Sequence, residues 1–228
     1  INKVFYKSSK YKKKNFHKDL LQFRKIKKKN FGYFFDTIQT LSINYQILTQ
    51  SKILSTTNKL LKNSKNCISL TDIALRIDPP IDNRNSLKWH QDSSYFRQNN
   101  NGFNGLVVWL PVFDVDKKTG TISFLEQSHT IGPQNIKRRK IRKNFSSQRN
   151  IDERLLKDFR EVEPTSIKPG DAIVMNMDMV HKSSNNFSKK NRISLIGRYH
   201  NTISGDFNSG LNIFRYSNKN FDKEVHGN

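Results

Sequence analysis

Trp89-His90-Gln91-Asp92 sets an imidazole and a carboxylate two residues apart. On an extended strand, side chains at i and i+2 leave the same face, so His90 and Asp92 point together while Gln91 points away. A metal ion needs at least one more ligand, and the second half of the chain offers His181. Two imidazoles and one carboxylate on one face leave up to three coordination positions open. That arrangement is expected of non-haem Fe(II) oxygenases, with zinc and a bound water as the chemical rival. By itself the pattern is weak, because six histidines in 228 residues will put one two positions before an aspartate fairly often. Context strengthens it, since both halves of the proposed site fall at strand ends.

Working outward from this motif, Ile73-Ala74-Leu75-Arg76-Ile77 reads as a strand ended by Pro79-Pro80. Leu106 to Phe113 is a second strand, and Asp116 to Gly120 reads as a turn returning to a strand over Thr121–Leu125. Lys168-Pro169-Gly170-Asp171 marks a turn, after which a strand over Ala172–Val180 delivers His181, and Arg192 to Tyr199 reads as another strand. Between Pro133 and Pro164 the sequence is strongly charged, with a helix predicted near Ile151 to Phe159. It is read as an inserted excursion or lid outside the central sheet. Upstream, Phe34, Phe35, Ile38, Leu41, Ile47 and Ile53 recur at mostly helical spacings, so one or two amphipathic helices are predicted over 31–66. Residues 1–30 read as a basic extension, helical or partly ordered, in which His17 is exposed. The fold class that follows is mostly β with flanking helices. A jelly-roll or barrel core over 67–228 lies in a single domain spanning 31–228.

The formal net charge of +22 first suggests a nucleic-acid or membrane-surface partner. Lys and Asn, however, are abundant along the whole chain, and no helix-turn-helix, zinc-finger or RNP-like pattern accompanies the charge, so nucleic acid is not the expected partner. No run approaches the roughly 18 apolar residues of a membrane span. Cys67 stands alone, which excludes an internal disulfide and fits a reducing, cytoplasmic location. The chain opens on Ile1, so further residues are expected upstream, where a targeting signal would lie out of view.

Arg192 lies eleven residues beyond His181, at the start of the next strand. Its planar fork can grip a carboxylate bidentately, each charge-assisted bond being worth about 1.5–3 kcal/mol. A dicarboxylate such as 2-oxoglutarate could chelate iron at one end and meet Arg192 at the other; the competing reading is a surface or interdomain ion pair.

On these blocks the sequence resembles the phytanoyl-CoA dioxygenase family of Fe(II)/2-oxoglutarate oxygenases. The matching elements are W-H-Q-D at 89–92, K-P-G-D at 168–171, His181 with Ser183 two beyond, and Arg192 eleven beyond. The strand around Trp109, Thr119 to Phe124 and Ser128-His129 are similar to that family's central hairpin. The resemblance covers about residues 70 to 200. It implies a double-stranded β-helix, jelly-roll and cupin-like, with iron held by His90, Asp92 and His181. It also implies 2-oxoglutarate bound by Arg192 and Ser183 with Trp109 packed beside it, O2 as the other co-substrate, and Tyr95 and Phe96 bordering the substrate. One departure is visible: Glu126-Gln127 stands where the family usually has Pro-Gly, which leaves His129 as a structural residue.

Family relatives that halogenate replace the carboxylate ligand with a small residue. With Asp92 present the expectation is hydroxylation of an unactivated C–H bond in a small molecule, releasing succinate and CO2. Arg138, Arg139 and Arg142 favour an anionic or carrier-linked substrate. Two other classes remain open at this point: an inactive jelly-roll binding protein, distinguished by failure to take up iron, and a basic nucleic-acid-associated protein, distinguished by salt-dependent binding.

Overall fold

The computed structural model describes residues 1–9, 11, 15–63, 67–82, 86–96, 98–99, 101–134, 137–138 and 149–208. Arg139 and Arg142 lie outside the described residues, and the Arg138 side chain is likewise undescribed. Among those described, five helices come first: α1 (Asn2–Ser9), α2 (Phe16–Ile26), α3 (Lys28–Gln39), α4 (Ser42–Leu48) and α5 (Ser51–Leu60). The strands follow as β1 (Ile68–Asp78), β2 (Gly105–Pro111), β3 (Val115–Asp116), β4 (Ile122–Leu125), β5 (Lys137–Arg138) and β6 (Arg149–Asn150). After them come β7 (Glu161–Val162), β8 (Ser166–Ile167), β9 (Ile173–Asn176), β10 (His181–Ser183) and β11 (Arg192–Asn201).

Two antiparallel sheets face one another. The larger has the order β1-β11-β2-β9 and the smaller β10-β4-β7, while β3 pairs with β8. Period-2 alternation divides the larger sheet cleanly. On one face Leu75, Ile77, Ile193 and Leu195 pack under Phe5, Leu20, Phe23, Phe34, Ile38 and Leu48 of the helices. On the other, Val107, Trp109, Met175 and Ile196 fill the space between the sheets. At Gly197 helix α4 approaches the sheet closely: an added Cβ there would sit 2.9 Å from Leu48 Cδ2.

Residues 1–30, expected as a separate extension, instead share this core. Phe5 is fully buried amid the rings of Tyr6, Phe16, Phe23 and Phe34 at 5.0–5.7 Å, a placement worth about 2 kcal/mol for such a side chain. Asn15 caps α2 by accepting the Lys18 N–H at 3.1 Å. The Asp19 carboxylate, in the helix's first turn, accepts the Tyr6 hydroxyl at 2.7 Å. His17 is half-buried rather than exposed: its Nδ1 accepts the Asn191 N–H at 3.2 Å, and burial, with Lys190 nearby, lowers its pKa. The aromatic residues that looked scattered in a basic stretch are the spacing of a buried helix face, obscured by the lysines between them.

Four further expectations change. The strand at 73–77 is longer, running over Ile68–Asp78, because β11 pairs with it from end to end around an irregularity at Thr71. The strand expected over Ala172–Val180 ends early: β9 covers Ile173–Asn176, a turn follows, and His181 opens β10 in the other sheet. Likewise β2 and β4 are not partners, so Asp116–Gly120 is a crossing between sheets and not a hairpin turn. Gly120 has φ +78 there, and its Cα packs so close to the Asn185 carbonyl that a Cβ would sit 2.5 Å from that oxygen. Finally, the helix predicted near 151–159 is one 3-10 turn, Glu153–Leu156, and Glu161–Val162 adds an edge strand to the smaller sheet. The end of the supposed excursion is therefore core: Ile151 and Leu156 are buried with Leu125 and Val180.

Candidate metal centre

His90 and His181 meet through their backbones before their side chains do. Each donates its N–H to the other's carbonyl at 3.0 Å, forming an antiparallel bridge, and directly opposed residues of such a pair project side chains to one face. Their ring centroids are 4.2 Å apart. The chain stays extended through Gln91 (φ −116, ψ 137) and then enters the 3-10 turn Asp92–Ser94. Asp92 therefore leaves on the His90 side. Its Oδ1 lies 3.5 Å from His90 Nε2 and 3.6 Å from His181 Nε2, and all three residues are buried. The candidate ligand atoms of the three residues lie within 4.8 Å of one another.

The tautomers follow from the other ring nitrogens. His90 Nδ1 bonds to the Lys88 carbonyl at 2.7 Å and His181 Nδ1 to the Met179 carbonyl at 2.9 Å. A carbonyl only accepts, so each Nδ1 carries the proton, and a neutral ring presents its Nε2 lone pair to the Asp92 oxygen. Burial pushes the His181 pKa down to about 4, so this ring is neutral at pH 7. Burial alone would raise the Asp92 pKa, but the Arg198 guanidinium holds it well below the ordinary carboxylate range. Lone pairs confronting a carboxylate in a buried site form a donor set that a divalent cation satisfies, so the residues fit Fe(II).

A solvent-open pocket adjoins this triad, and Trp109, Ser183 and Arg192 line it together with His90, Asp92 and His181. Sequence and structure thus bring six of the eight named residues together. Tyr95 and Phe96 do not line this pocket. The Tyr95 ring stands edge-on to His90 at 6.1 Å, and Phe96 lies beneath the Arg198 guanidinium at 3.8 Å. Arg192 is more committed than a waiting carboxylate fork would be. Its Nε and Nη2 donate to Asp78 Oδ2 at 3.2 and 3.1 Å, and Nη1 donates to the carbonyls of Gly120, Thr121 and Ser184 at 2.8–3.1 Å. Burial would raise the Asp78 pKa, but Arg76 and Arg192 keep it below the ordinary range.

Gln91 had no role in the sequence beyond facing away, and it turns out to be one of the most tightly held side chains. At 1% exposure its amide donates to the Gly132 and Asp178 carbonyls at 2.8 and 2.7 Å, and its Oε1 accepts the Gln134 N–H at 2.8 Å. Nearby, Gln127 adopts φ +60 where the family's glycine would sit without strain. Ser128 Oγ accepts the Val180 N–H at 2.9 Å, while the half-buried His129 ring packs edge-on against Phe103 at 5.4 Å.

A double-stranded β-helix with two imidazoles and a carboxylate converging between its sheets defines a cupin-like class of protein. Within that class, a model of the phytanoyl-CoA dioxygenase family matches residues 7–194, and the chain belongs to this family. Phytanoyl-CoA dioxygenase 1 of Oryza sativa subsp. japonica is 30% identical over 106 residues, 46% of this chain and 36% of that protein. Among solved structures, EctD from S. alaskensis, crystallised with 2-oxoglutarate and 5-hydroxyectoine, superposes with a TM-score of 0.55. It is 16% identical over 72% of this chain and 54% of its own. The non-heme alpha ketoglutarate dependent epimerase SnoN from nogalamycin biosynthesis superposes with a TM-score of 0.54 at 16% identity, covering 69% of this chain and 56% of its own. The chain thus spans about a third of the length of the Oryza protein and about half that of these two structures, whose likeness is one of fold. No helix among the described residues is long and apolar enough to cross a membrane.

His200, on β11, is 1% exposed, and burial lowers its pKa to about 4, as for His181. Both folded-state values lie below the unfolded value of about 6.5, so the unfolded chain binds more protons between these limits. Stability of the metal-free protein should be fully present above about pH 6.5. It should fall as pH drops toward 4, by about 1 kcal/mol per pH unit for each histidine. Urea denaturation at pH 7, 6 and 5 checks this, and a flat profile would show that neither ring is held neutral.

Proposed function

We propose that this chain is an Fe(II)- and 2-oxoglutarate-dependent dioxygenase that hydroxylates an unactivated C–H bond of a small molecule, with succinate and CO2 as co-products. What carries the reading is the meeting of two Nε2 lone pairs and one carboxylate oxygen in a buried site beside a pocket that also holds an arginine. Fe(II), when bound, supplies the oxygen activation that couples oxidative decarboxylation of 2-oxoglutarate to attack on a C–H bond. His90, Asp92 and His181 hold the metal, and the carbonyls of Lys88 and Met179 fix the two ring orientations. Arg192 and Ser183 take the distal carboxylate of the co-substrate, while the buried Trp109 walls the pocket. Family membership and the fold shared with 2-oxoglutarate enzymes support the same class.

A carboxylate at position 92 favours hydroxylation, since it fills the coordination position a halide would need. SnoN shows that this fold also serves an epimerase, so the product assay asks whether the substrate gains one oxygen atom. The test is incubation of the purified chain with Fe(II), ascorbate and 2-oxoglutarate. Slow uncoupled succinate release is expected, raised by a true substrate from a metabolite screen and absent from His90→Ala. Succinate no higher than in the metal-free control would sink the reading.

A further inference from the structure

β11 carries a second buried arginine on the face that holds Arg192. Period-2 alternation puts Arg192, Ser194, Ile196, Arg198 and His200 toward the space between the sheets. Across the strand pair, Asp78 stands opposite Arg192 and Asp72 opposite Arg198, so each arginine faces a carboxylate of β1. The two pairs differ in what else they touch. Arg192 binds backbone carbonyls, whereas Arg198 Nε donates to Asp92 Oδ2 at 2.8 Å. Its Nη1 donates to Asp72, and the guanidinium carbon lies 3.8 Å over the Phe96 ring. Arg198 is 7% exposed. Held by an anion on one side and an aromatic face beneath, it has a fixed orientation.

We propose that Arg198 is a positioning residue that keeps Asp92 a one-oxygen ligand and thereby preserves open coordination positions for the co-substrates. The inference rests on the metal-site reading above. Oδ2 is engaged by Arg198, and Oδ1 alone faces both Nε2 atoms, at 3.5 and 3.6 Å. A carboxylate with both oxygens free can chelate a metal through the pair, occupying a second position. An ion held by three protein ligands would need its remaining positions for the co-substrates, so a second Asp92 oxygen would compete with them. The rigid Asp72–Arg198–Asp92 chain withholds Oδ2. Phe96 belongs to the same device as the surface on which the guanidinium lies, a role distinct from bordering substrate.

The experiment loads the full chain with Co(II), whose visible absorption reports coordination geometry, and titrates it with 2-oxoglutarate. The variants are Arg198→Gln and Asp72→Asn, the second at a side chain 28% exposed, where folding is least at risk. Arg198→Gln should show an altered Co(II) band before any co-substrate is added and 2-oxoglutarate affinity lowered about 10–100-fold, the range usual for partners of metal ligands. Asp72→Asn should shift both in the same direction by less. A merely structural arginine would lower thermal stability but leave the band and the affinity of the folded protein unchanged. Wild-type band and affinity within twofold in both variants would overturn the proposal, and Asp72→Asn alone decides it if Arg198→Gln does not fold. A Co(II) band no different between wild type and His90→Ala would instead remove the metal-site reading, and this proposal with it.

Discussion

Replacing Asp92 by alanine is expected to abolish succinate release and to lower the stability of the metal-free fold by about 3 kcal/mol, for separate reasons. Catalytically, the change removes the one anionic member of a three-residue site and leaves two neutral imidazoles. Structurally, it strips a buried guanidinium of one of its two carboxylates, since Arg198 donates to Asp92 at 2.8 Å. Removing one partner of a buried pair costs about 3–5 kcal/mol, and Asp72, still in place, keeps the loss at the low end. His90→Ala should lose turnover equally with a smaller stability loss, because its partners are a carbonyl and an aspartate already satisfied by arginine. Succinate quantification and urea denaturation of the metal-free proteins measure the two effects. Turnover surviving in Asp92→Ala would sink the triad, and unchanged stability would mean the Arg198 pair contributes nothing.

Arg192→Ala should weaken 2-oxoglutarate binding by about 10-fold or more, the equivalent of one charge-assisted bond, while metal uptake persists. The same substitution should destabilise the protein by about 3–5 kcal/mol, because the side chain ties β11 to Asp78 of β1, to the Gly120–Thr121 crossing and to Ser184 beyond β10. Those bonds leave one Nη2 hydrogen without a partner among the described residues, so the co-substrate meets an arginine already anchored. Calorimetric titration of 2-oxoglutarate into the metal-loaded variant, paired with a denaturation curve, separates the contributions. Full affinity in a folded variant would move the carboxylate anchor elsewhere in the pocket.

The parts of this molecule readable in advance were those in which chemistry is written in local spacing. His90 and Asp92 sit two apart on extended chain, and the meeting with His181 needed only that both lie at strand ends. Arg198 was equally visible as an arginine in an apolar strand, six residues beyond Arg192 and so on the same face. Its partner Asp92, however, is 106 residues away, and no spacing rule spans that separation. Long-range pairing also explains the misread strands: β2 and β4 look like consecutive arms of a hairpin, but each finds its neighbours in distant sequence. In α1 and α2 the dense lysines masked a buried face that Phe5, Leu20 and Phe23 define only once the helices are packed. The anchoring role of Gln91 is not legible in the sequence, because a side chain pointing away from a site carries no local sign of what lies on the other side.

All ten residues of β11 are buried, yet the two faces answer to different demands. Ile193, Leu195 and Tyr199 meet the helices and their flanking core, while Arg192, Ile196 and Arg198 meet the pocket. The strand is two interleaved texts, one written for cohesion and one for ligands, read at alternate letters. The pocket-side arginines also tie β11 to Asp78 and Asp72 of β1, so a change of ligand there reaches the fold through those two pairs, whereas Ile196 between them lines the pocket by its apolar surface alone.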